Sequence, residues 1–346
     1  MRFAASLANT VNSTSDAPLL RVDRLRTVFT LPDGRDVAAV DDVSLAVRAG
    51  ETLGLVGESG SGKSVTALSI LRLVMPPGRI TQGEITFDGR DLLTLEENEL
   101  RAIRGRRIGF VFQEPMVALN PVYTIGQQIA ETLTVHGLAH GPAARARAIE
   151  WLRAARVPDP ERRAGEYPHQ LSGGLRQRAM IALALCAEPS LVIADEPTTA
   201  LDVTVQAEIL DLLRELRASL GLALLLITHD LGVVAEMADR VAVMYGGRIV
   251  EDGPVADVFK TPAHPYTRGL LACLPGSADG RRLTAIAGTV PSLGQFPPGC
   301  AFAPRCVERL PVCDTIPPAV TAPVGVEGAG RSVRCYLHGH ATGGGA

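Results

Sequence analysis

Leu53 to Ser64 reads LGLVGESGSGKS, an apolar run that breaks into a glycine-rich loop ending in lysine and serine. Gly57, Glu58, Ser59, Gly60, Ser61, Gly62, Lys63 and Ser64 fill every position of G-x-x-x-x-G-K-S/T, the phosphate-cradling loop. Glycine permits the unusual dihedrals and the close backbone approach by which successive N–H groups point at phosphate oxygens. Lys63 would then sit on the β- and γ-phosphates, and Ser64 would offer its hydroxyl to Mg²⁺. A second chemical pair lies at Asp195-Glu196, closing the apolar run Leu191 to Ala194. In a chain with a phosphate loop, Asp195 is placed to hold Mg²⁺, directly or through water, and Glu196 to polarise the attacking water. Gln113 ends another apolar run, where its amide can reach a metal ion or water, although most such glutamines merely meet solvent. His229 ends a third run, Leu222 to Thr228; a lone histidine is more often structural, but at the edge that carries Glu196 it could reach a γ-phosphate. Ser172, Gly173 and Gly174 precede a helical pattern, so free N–H groups and the positive end of the helix dipole make a second anion-binding position.

The elements needed to hold these residues are legible. Glu51 to Val56 reads as a strand and Val65 to Val74 as a helix, which is the context the phosphate loop requires. Leu19 to Leu31 and Val37 to Val47 read as strands joined by the turn Pro32-Asp33-Gly34-Arg35. Phe29 is placed either to stack on a bound adenine or to pack in the core. Further strands are expected at Gly83 to Gly89, Arg104 to Phe112, Val241 to Tyr245 and Gly247 to Glu251, and helix from Thr124 to Val157. Asp202, in Thr199-Ala200-Leu201-Asp202, stands where a helix begins and could serve simply as its N-cap.

With 346 residues and 46% hydrophobic content, the chain suffices for one large domain or two modest ones. A formal charge of −3 gives no electrostatic case for nucleic acid or an anionic membrane surface. No apolar run approaches the roughly 18–20 residues of a membrane span. Residues 1–17 read as a mobile tail, too soon polar for a signal peptide, in keeping with a cytosolic nucleotide-binding protein.

These motifs, in this order over residues 19–260, resemble the nucleotide-binding subunit of ATP-binding cassette (ABC) transporters. Gly57 to Ser64 is similar to the family's Walker A, LVIADE to its Walker B, Gln113 to its Q-loop, LSGG at Leu171 to Gly174 to its signature, TALD to its D-loop and His229 to its switch histidine. The signature departs from LSGGQ, having Leu175 where glutamine is usual and Gln177 two places on. The resemblance implies an α/β P-loop NTPase cassette at 18–260: a mixed-sheet core, an antiparallel β subdomain and a helical subdomain at about 115–185. It also implies ATP and Mg²⁺ as cofactors, with Glu196, His229 and Gln113 catalytic and Asp202 near the nucleotide. Two cassettes would associate head to tail, each ATP lying between one subunit's Walker A and the other's signature. A near-complete switch between open and closed forms needs about 5.5 kcal/mol of differential ATP affinity. A soluble ABC ATPase acting on DNA or ribosomes is the competing reading, disfavoured by the single cassette and the lack of heptads or a basic patch; an exporter ATPase is a third, weaker one.

Beyond residue 260, the element His264-Pro265-Tyr266-Thr267 resembles the C-terminal region of oligopeptide and dipeptide importer ATPases, here residues 261–346. That likeness implies a peripheral subunit on the cytoplasmic face of the cell membrane. Its expected partners are a second ATPase subunit, favoured as a paralogue, two membrane permeases and an extracytoplasmic solute-binding protein, with no nucleic acid. Cys186 and Cys273 are expected to be buried small hydrophobes. Cys300, Cys306, Cys313 and Cys335 lie in a proline- and glycine-rich segment, where disulfides are not expected in a reducing compartment. Four thiolates there could hold zinc, hold an iron–sulfur cluster or stay unliganded. None of the spacings is the short zinc knuckle, and similar tails in peptide importer ATPases imply a [4Fe-4S] cluster of structural role.

Overall fold

The computed structural model describes residues 17–274, 286–324 and 330–339, so the proposed N-terminal tail lies outside the described residues except for residue 17. Strands β1 (Leu20–Thr30) and β2 (Asp36–Val47) form an antiparallel pair across the Pro32–Arg35 turn, and β3 (Thr52–Val56) follows. Helix α1 (Lys63–Ile70) opens directly from the glycine-rich loop. It stops four residues short of the periodic pattern, because Arg72 turns into the left-handed region at φ 53°.

Next come β4 (Gly78–Phe87), β5 (Arg90–Asp91), α2 (Glu97–Ile103), β6 (Ile108–Val111) and α3 (Pro115–Ala118). The strand expected over Arg104 to Phe112 is shorter because its first residues turn at Gly105, φ 77°. The helical stretch from Thr124 to Val157 divides into α4 (Ile125–Val135) and α5 (Gly141–Ala154), and a short α6 (Pro160–Arg163) follows beyond it. Gly137, at φ 67°, ends α4 as C-terminal glycines do.

The remaining elements are α7 (Gly173–Leu185), β7 (Leu191–Asp195), α8 (Val203–Leu220), β8 (Ala223–Thr228), α9 (Leu231–Met237), β9 (Arg240–Tyr245) and β10 (Arg248–Pro254). Beyond them lie α10 (Val255–Lys260), α11 (Pro265–Ala272) and β11 (Ser332–Val333).

Two sheets result. The smaller is antiparallel, in the order β2-β1-β4-β5, and the larger runs β11-β10-β9-β3-β8-β7-β6. Neighbours from β9 to β6 pair in parallel, whereas β10 and β11 close one edge antiparallel. Every residue of β3, β7 and β8 is buried, as expected of parallel strands covered on both faces. One core face joins β6, β7 and β8 to the helices α4, α5, α7 and α8; the other packs α1 and the antiparallel sheet against β3. A third cluster binds β9 and β10 to the C-terminal region through Tyr245, Tyr266 and Phe302. Among the described residues, no helix is long and apolar enough to cross a membrane.

Candidate nucleotide-binding and catalytic site

The strand order β3-β8-β7-β6 explains how residues far apart in sequence meet. All four strands run the same way, so the phosphate loop after β3, His229 after β8, Asp195 and Glu196 at the end of β7, and Gln113 after β6 emerge at one sheet edge. Ligands of open α/β sheets bind outside such carboxyl ends.

The loop is fixed by close packing. A Cβ on Gly57 would stand 2.1 Å from the Met244 carbonyl oxygen, and one on Gly62 would stand 2.4 Å from that of Ala39, with φ at 102°. Glycine is therefore required at both ends of the loop. Gly62 is also the N-cap of α1, offers no side-chain acceptor, and no acid sits in the first turn. The helix N–H groups and dipole thus remain available to an anion. Lys63 Nζ donates to the carbonyls of Gly57 (2.8 Å) and Glu58 (3.1 Å), folded over its own loop. Burial depresses the Lys63 pKa, opposed by the carboxylates of Glu196, Asp195 and Glu58.

Ser64 Oγ donates to Asp195 Oδ1 at 3.0 Å, so two of the three side chains expected at magnesium are in direct contact, while the third, Gln113, turns its amide to Glu196. Burial raises the Asp195 pKa, against the stabilising bond from Ser64. Glu196 lies in the left-handed region at φ 46°, a conformation that costs about 1–3 kcal/mol for a non-glycine residue and collects at functional sites. Its N–H is held by the Ile227 carbonyl of β8 at 2.8 Å. From there Glu196 Oε2 accepts from Gln113 Nε2 (3.2 Å) and Thr199 Oγ1 (2.7 Å) and lies 3.3 Å from His229 Nδ1. Gln113, Glu196 and His229 therefore form one group. Thr199 belongs to it as well and has no signal in the sequence beyond its nearness to Glu196.

An open cleft of about 540 Å³ lies over the loop, lined by Phe29, Ser59, Gly60, Ser61, Gly62, Lys63, Ser64, Gln113 and Glu196, and on its far side by Val290 to Leu293 of the C-terminal region. Phe29 is half-buried and faces this cleft, so it is not a core residue. The wall from Val290 to Leu293 has no signature in the sequence. Glu58 turns away from the cleft: its carboxylate pairs with Arg305, and its N–H donates to Tyr266 OH.

Ser172, Gly173 and Gly174 stand elsewhere. Ser172 is exposed at the N-cap position of α7, makes no side-chain capping bond, and the first turn carries no acid. A Cβ on Gly174 would meet Val205 Cγ1 at 2.8 Å, so α8 lies against the glycine pair. Leu175, at the departure from LSGGQ, packs half-buried against the helical core, and Gln177 is buried. Asp202 Oδ1 accepts from the Val205 N–H, which makes it the N-cap of α8.

Cys186, at the end of α7, and Cys300, Cys306, Cys313 and Cys335 of the C-terminal region are free thiols. Cys186 is fully buried, its pKa pushed up to about 12 by burial, whereas Cys273 is only half-buried, at the end of the short α11. Cys300, Cys306, Cys313 and Cys335 line one cavity of about 20 Å³ together with His264 and Phe302. Burial raises the thiol pKa of Cys300 and Cys306 and pushes that of Cys335 up to about 11. Among the described residues, no set of three or more His, Cys, Asp or Glu side chains is gathered closely enough to hold a metal ion.

The sequence pattern of the ABC transporter family matches residues 40–199, and that of the oligopeptide/dipeptide transporter C-terminal region matches residues 250–313. A Brucella melitensis protein named as a peptide import ATP-binding protein is 53% identical over 318 residues, covering 88% of this chain and 94% of its own. The chain belongs to the ABC transporter ATP-binding proteins. A second relative of the same description, from Brucella abortus, is 51% identical over 324 residues, covering 93% of this chain and 96% of its own. Among solved structures, the ATP-binding cassette MJ0796, a dimer in a post-hydrolysis state with ADP and Pi, superposes with a TM-score of 0.62 at 31% identity, covering 68% of this chain and 98% of that one. The cbiO1 protein of Clostridium perfringens, part of the cbiONQ ABC transporter complex, gives 0.58 at 28% identity, covering 70% and 91%. This ABC cassette is thus an ATPase, built on a P-loop NTPase fold with a mixed sheet.

Proposed function

We infer that this ABC ATPase powers import of oligopeptides, dipeptides or related small solutes, hydrolysing MgATP at the edge where β3, β8, β7 and β6 end. The convergence of Gln113, Thr199 and His229 on Glu196, beside the phosphate loop, carries this reading. The C-terminal region and the descriptions of the relatives support the peptide class. The loop amides and Lys63 bind the triphosphate, and Phe29 offers its ring to the base. Ser64 and Asp195 suit Mg²⁺, a hard cation that takes one or two protein oxygens and completes its shell with phosphates and water. Bound there, it neutralises charge developing on the phosphates. Glu196 accepts the proton of the attacking water, while Gln113 and His229 orient the carboxylate and the water.

Ser172, Gly173 and Gly174 face a different nucleotide, held by the phosphate loop of a second ATPase subunit, favoured as a paralogue. Asp202, beside that helix end, sets the approach of the partner. The assembly includes two permeases and a solute-binding protein, and this subunit rests on the cytoplasmic face of the membrane. Residues 18–260 form the cassette and 261–346 its importer-type extension. For the extension, the reading is a [4Fe-4S] cluster, with zinc as the alternative, held by Cys300, Cys306, Cys313 and Cys335. Support comes from the cavity that all four share. That cavity has room for about one water molecule, so the four thiols would hold either group only with their segment rearranged around it. Iron, sulfide and zinc analysis of anaerobically purified chain, with its visible absorption, decides between the two; a preparation free of both metals refutes the assignment.

The decisive experiment for hydrolysis compares Glu196→Gln with wild type in the reconstituted transporter. Turnover falls by about 10²–10⁴-fold, the usual worth of a general base, while ATP binding persists. Unchanged hydrolysis would show that the base lies elsewhere.

A further inference from the structure

Glu58 is an acid inside a loop that binds a tetra-anion, and the fold holds it on every side. Its backbone is tied on both sides: the N–H donates to Tyr266 OH at 2.9 Å, and the carbonyl accepts from Lys63 Nζ at 3.1 Å and from the Ser61 N–H at 3.2 Å. Its carboxylate meets Arg305 in a bidentate pair, Nη1 to Oε2 at 2.6 Å and Nη2 to Oε1 at 3.1 Å. Arg305 is only 4% exposed, against 31% for Glu58. The guanidinium lies over the rings of Tyr245 and Phe302, and its Nε donates to the Ala287 carbonyl at 3.0 Å. Such a planar, multiply held fork is a fixed counter-charge. The charge of Glu58 also reaches the nucleotide site, for it acts on the Lys63 ammonium.

Arg305 comes from the turn Ala303–Arg305, between Cys300 and Cys306, some 247 positions from Glu58. That turn is anchored in the extension, where Ala303 N–H donates to Cys300 O and Cys300 N–H to Cys313 O. The extension therefore places one rigid cation against the phosphate loop.

We propose that Arg305 is a positioning residue for ATP binding, which neutralises and fixes Glu58 so that the loop presents an undiminished positive face to the triphosphate. Without Arg305, Glu58 is left as an uncompensated acid beside the phosphates. The inference rests on the reading that Gly57 to Ser64 holds ATP.

The test measures the affinity of the purified full-length chain for a magnesium-bound non-hydrolysable ATP analogue. Arg305→Met raises Kd about tenfold, the size expected of one unit charge acting over about 10 Å at an effective dielectric near 20. Adding Glu58→Gln to that variant removes the stray charge and recovers most of the loss, a rescue that a purely structural role for Arg305 would not give. In the reconstituted transporter, Arg305→Met raises KM for ATP and leaves kcat nearly unchanged, as loss of uniform binding does. Should Arg305→Met not fold, Arg305→Lys serves instead, keeping the charge without the fork; its expected loss is smaller and is again relieved by Glu58→Gln. An unchanged Kd, or a loss that Glu58→Gln does not relieve, overturns the proposal. Lys63→Ala is the control for the underlying reading: if it leaves binding intact, the loop does not hold the nucleotide, whereas if it abolishes binding and the rescue still fails, only the role of Arg305 is lost.

Discussion

Around Glu196, two donors share one carboxylate oxygen with His229 Nδ1 3.3 Å away, and β8 holds the N–H of the left-handed residue that brings them together. None of those contacts can be read from sequence, although the residue types could: an acid pair after an apolar run, a glutamine and a histidine at run ends. Tyr266 and Arg305 escaped because their common partner, Glu58, lies more than 200 residues away, and Thr199 because its contact, only three residues away, depends on the left-handed turn at Glu196. His264 adds a pH dependence of its own. It is buried, and its Nδ1 accepts from the Tyr266 N–H at 3.0 Å, capping α11 and so orienting the tyrosine that holds Glu58. Burial, aided by Arg268 and His338, lowers its pKa to about 3 from 6.5. Between those values the unfolded chain binds more protons than the folded one. Stability from this group is therefore complete above pH 6.5 and is lost as pH falls below it. Wild type is expected to lose about 1.4 kcal/mol more between about pH 7.5 and about pH 5.5 than His264→Asn, which keeps an acceptor at the cap. Urea unfolding at the two pH values measures the difference; equal slopes would remove His264 from the account.

The elements that hold the site follow from patterns of different strength. Apolar runs gave β7 and β8, and an alternating stretch gave β3, each within a residue or two, because burial on both faces favours apolar side chains throughout. Weaker signals moved: α1 ended early at Arg72, and the long helical stretch broke near Gly137. Sheet order, which brings the four strand ends together, is a long-range property that no local pattern contains. At this scale the contact between the loop and β9 is testable. Gly57→Ala drives a Cβ into the Met244 carbonyl at 2.1 Å, which must part the loop from the strand end. A cost of about 1–3 kcal/mol, typical of overpacking, appears as a roughly ten- to hundredfold rise in Kd for ATP by calorimetry. Wild-type affinity in Gly57→Ala would mean that the loop can bind phosphate in another geometry.

As a whole, the molecule keeps its phosphate loop apart from the Ser172–Gly174 helix end, the second anion cradle we propose. The phosphate loop opens into the cleft under Val290 to Leu293, whereas Ser172 stands exposed at the end of α7 and is not among the described residues lining that cleft. The four cysteines were recognisable as a group from composition alone, and the fold brings them to one cavity. The coupling of their segment to the loop through Arg305 was invisible, since it depends on how the extension wraps β9. In the proposed assembly each cradle serves a different nucleotide, one bound by this chain and one by its partner. Ser172→Arg tests it most directly, by comparing ATP affinity of the isolated chain with ATP turnover of the reconstituted transporter. Affinity is expected within about twofold of wild type and turnover reduced at least about tenfold, as for loss of a transition-state anion donor. Turnover that persists, or affinity that falls with it, would contradict a site divided between two subunits.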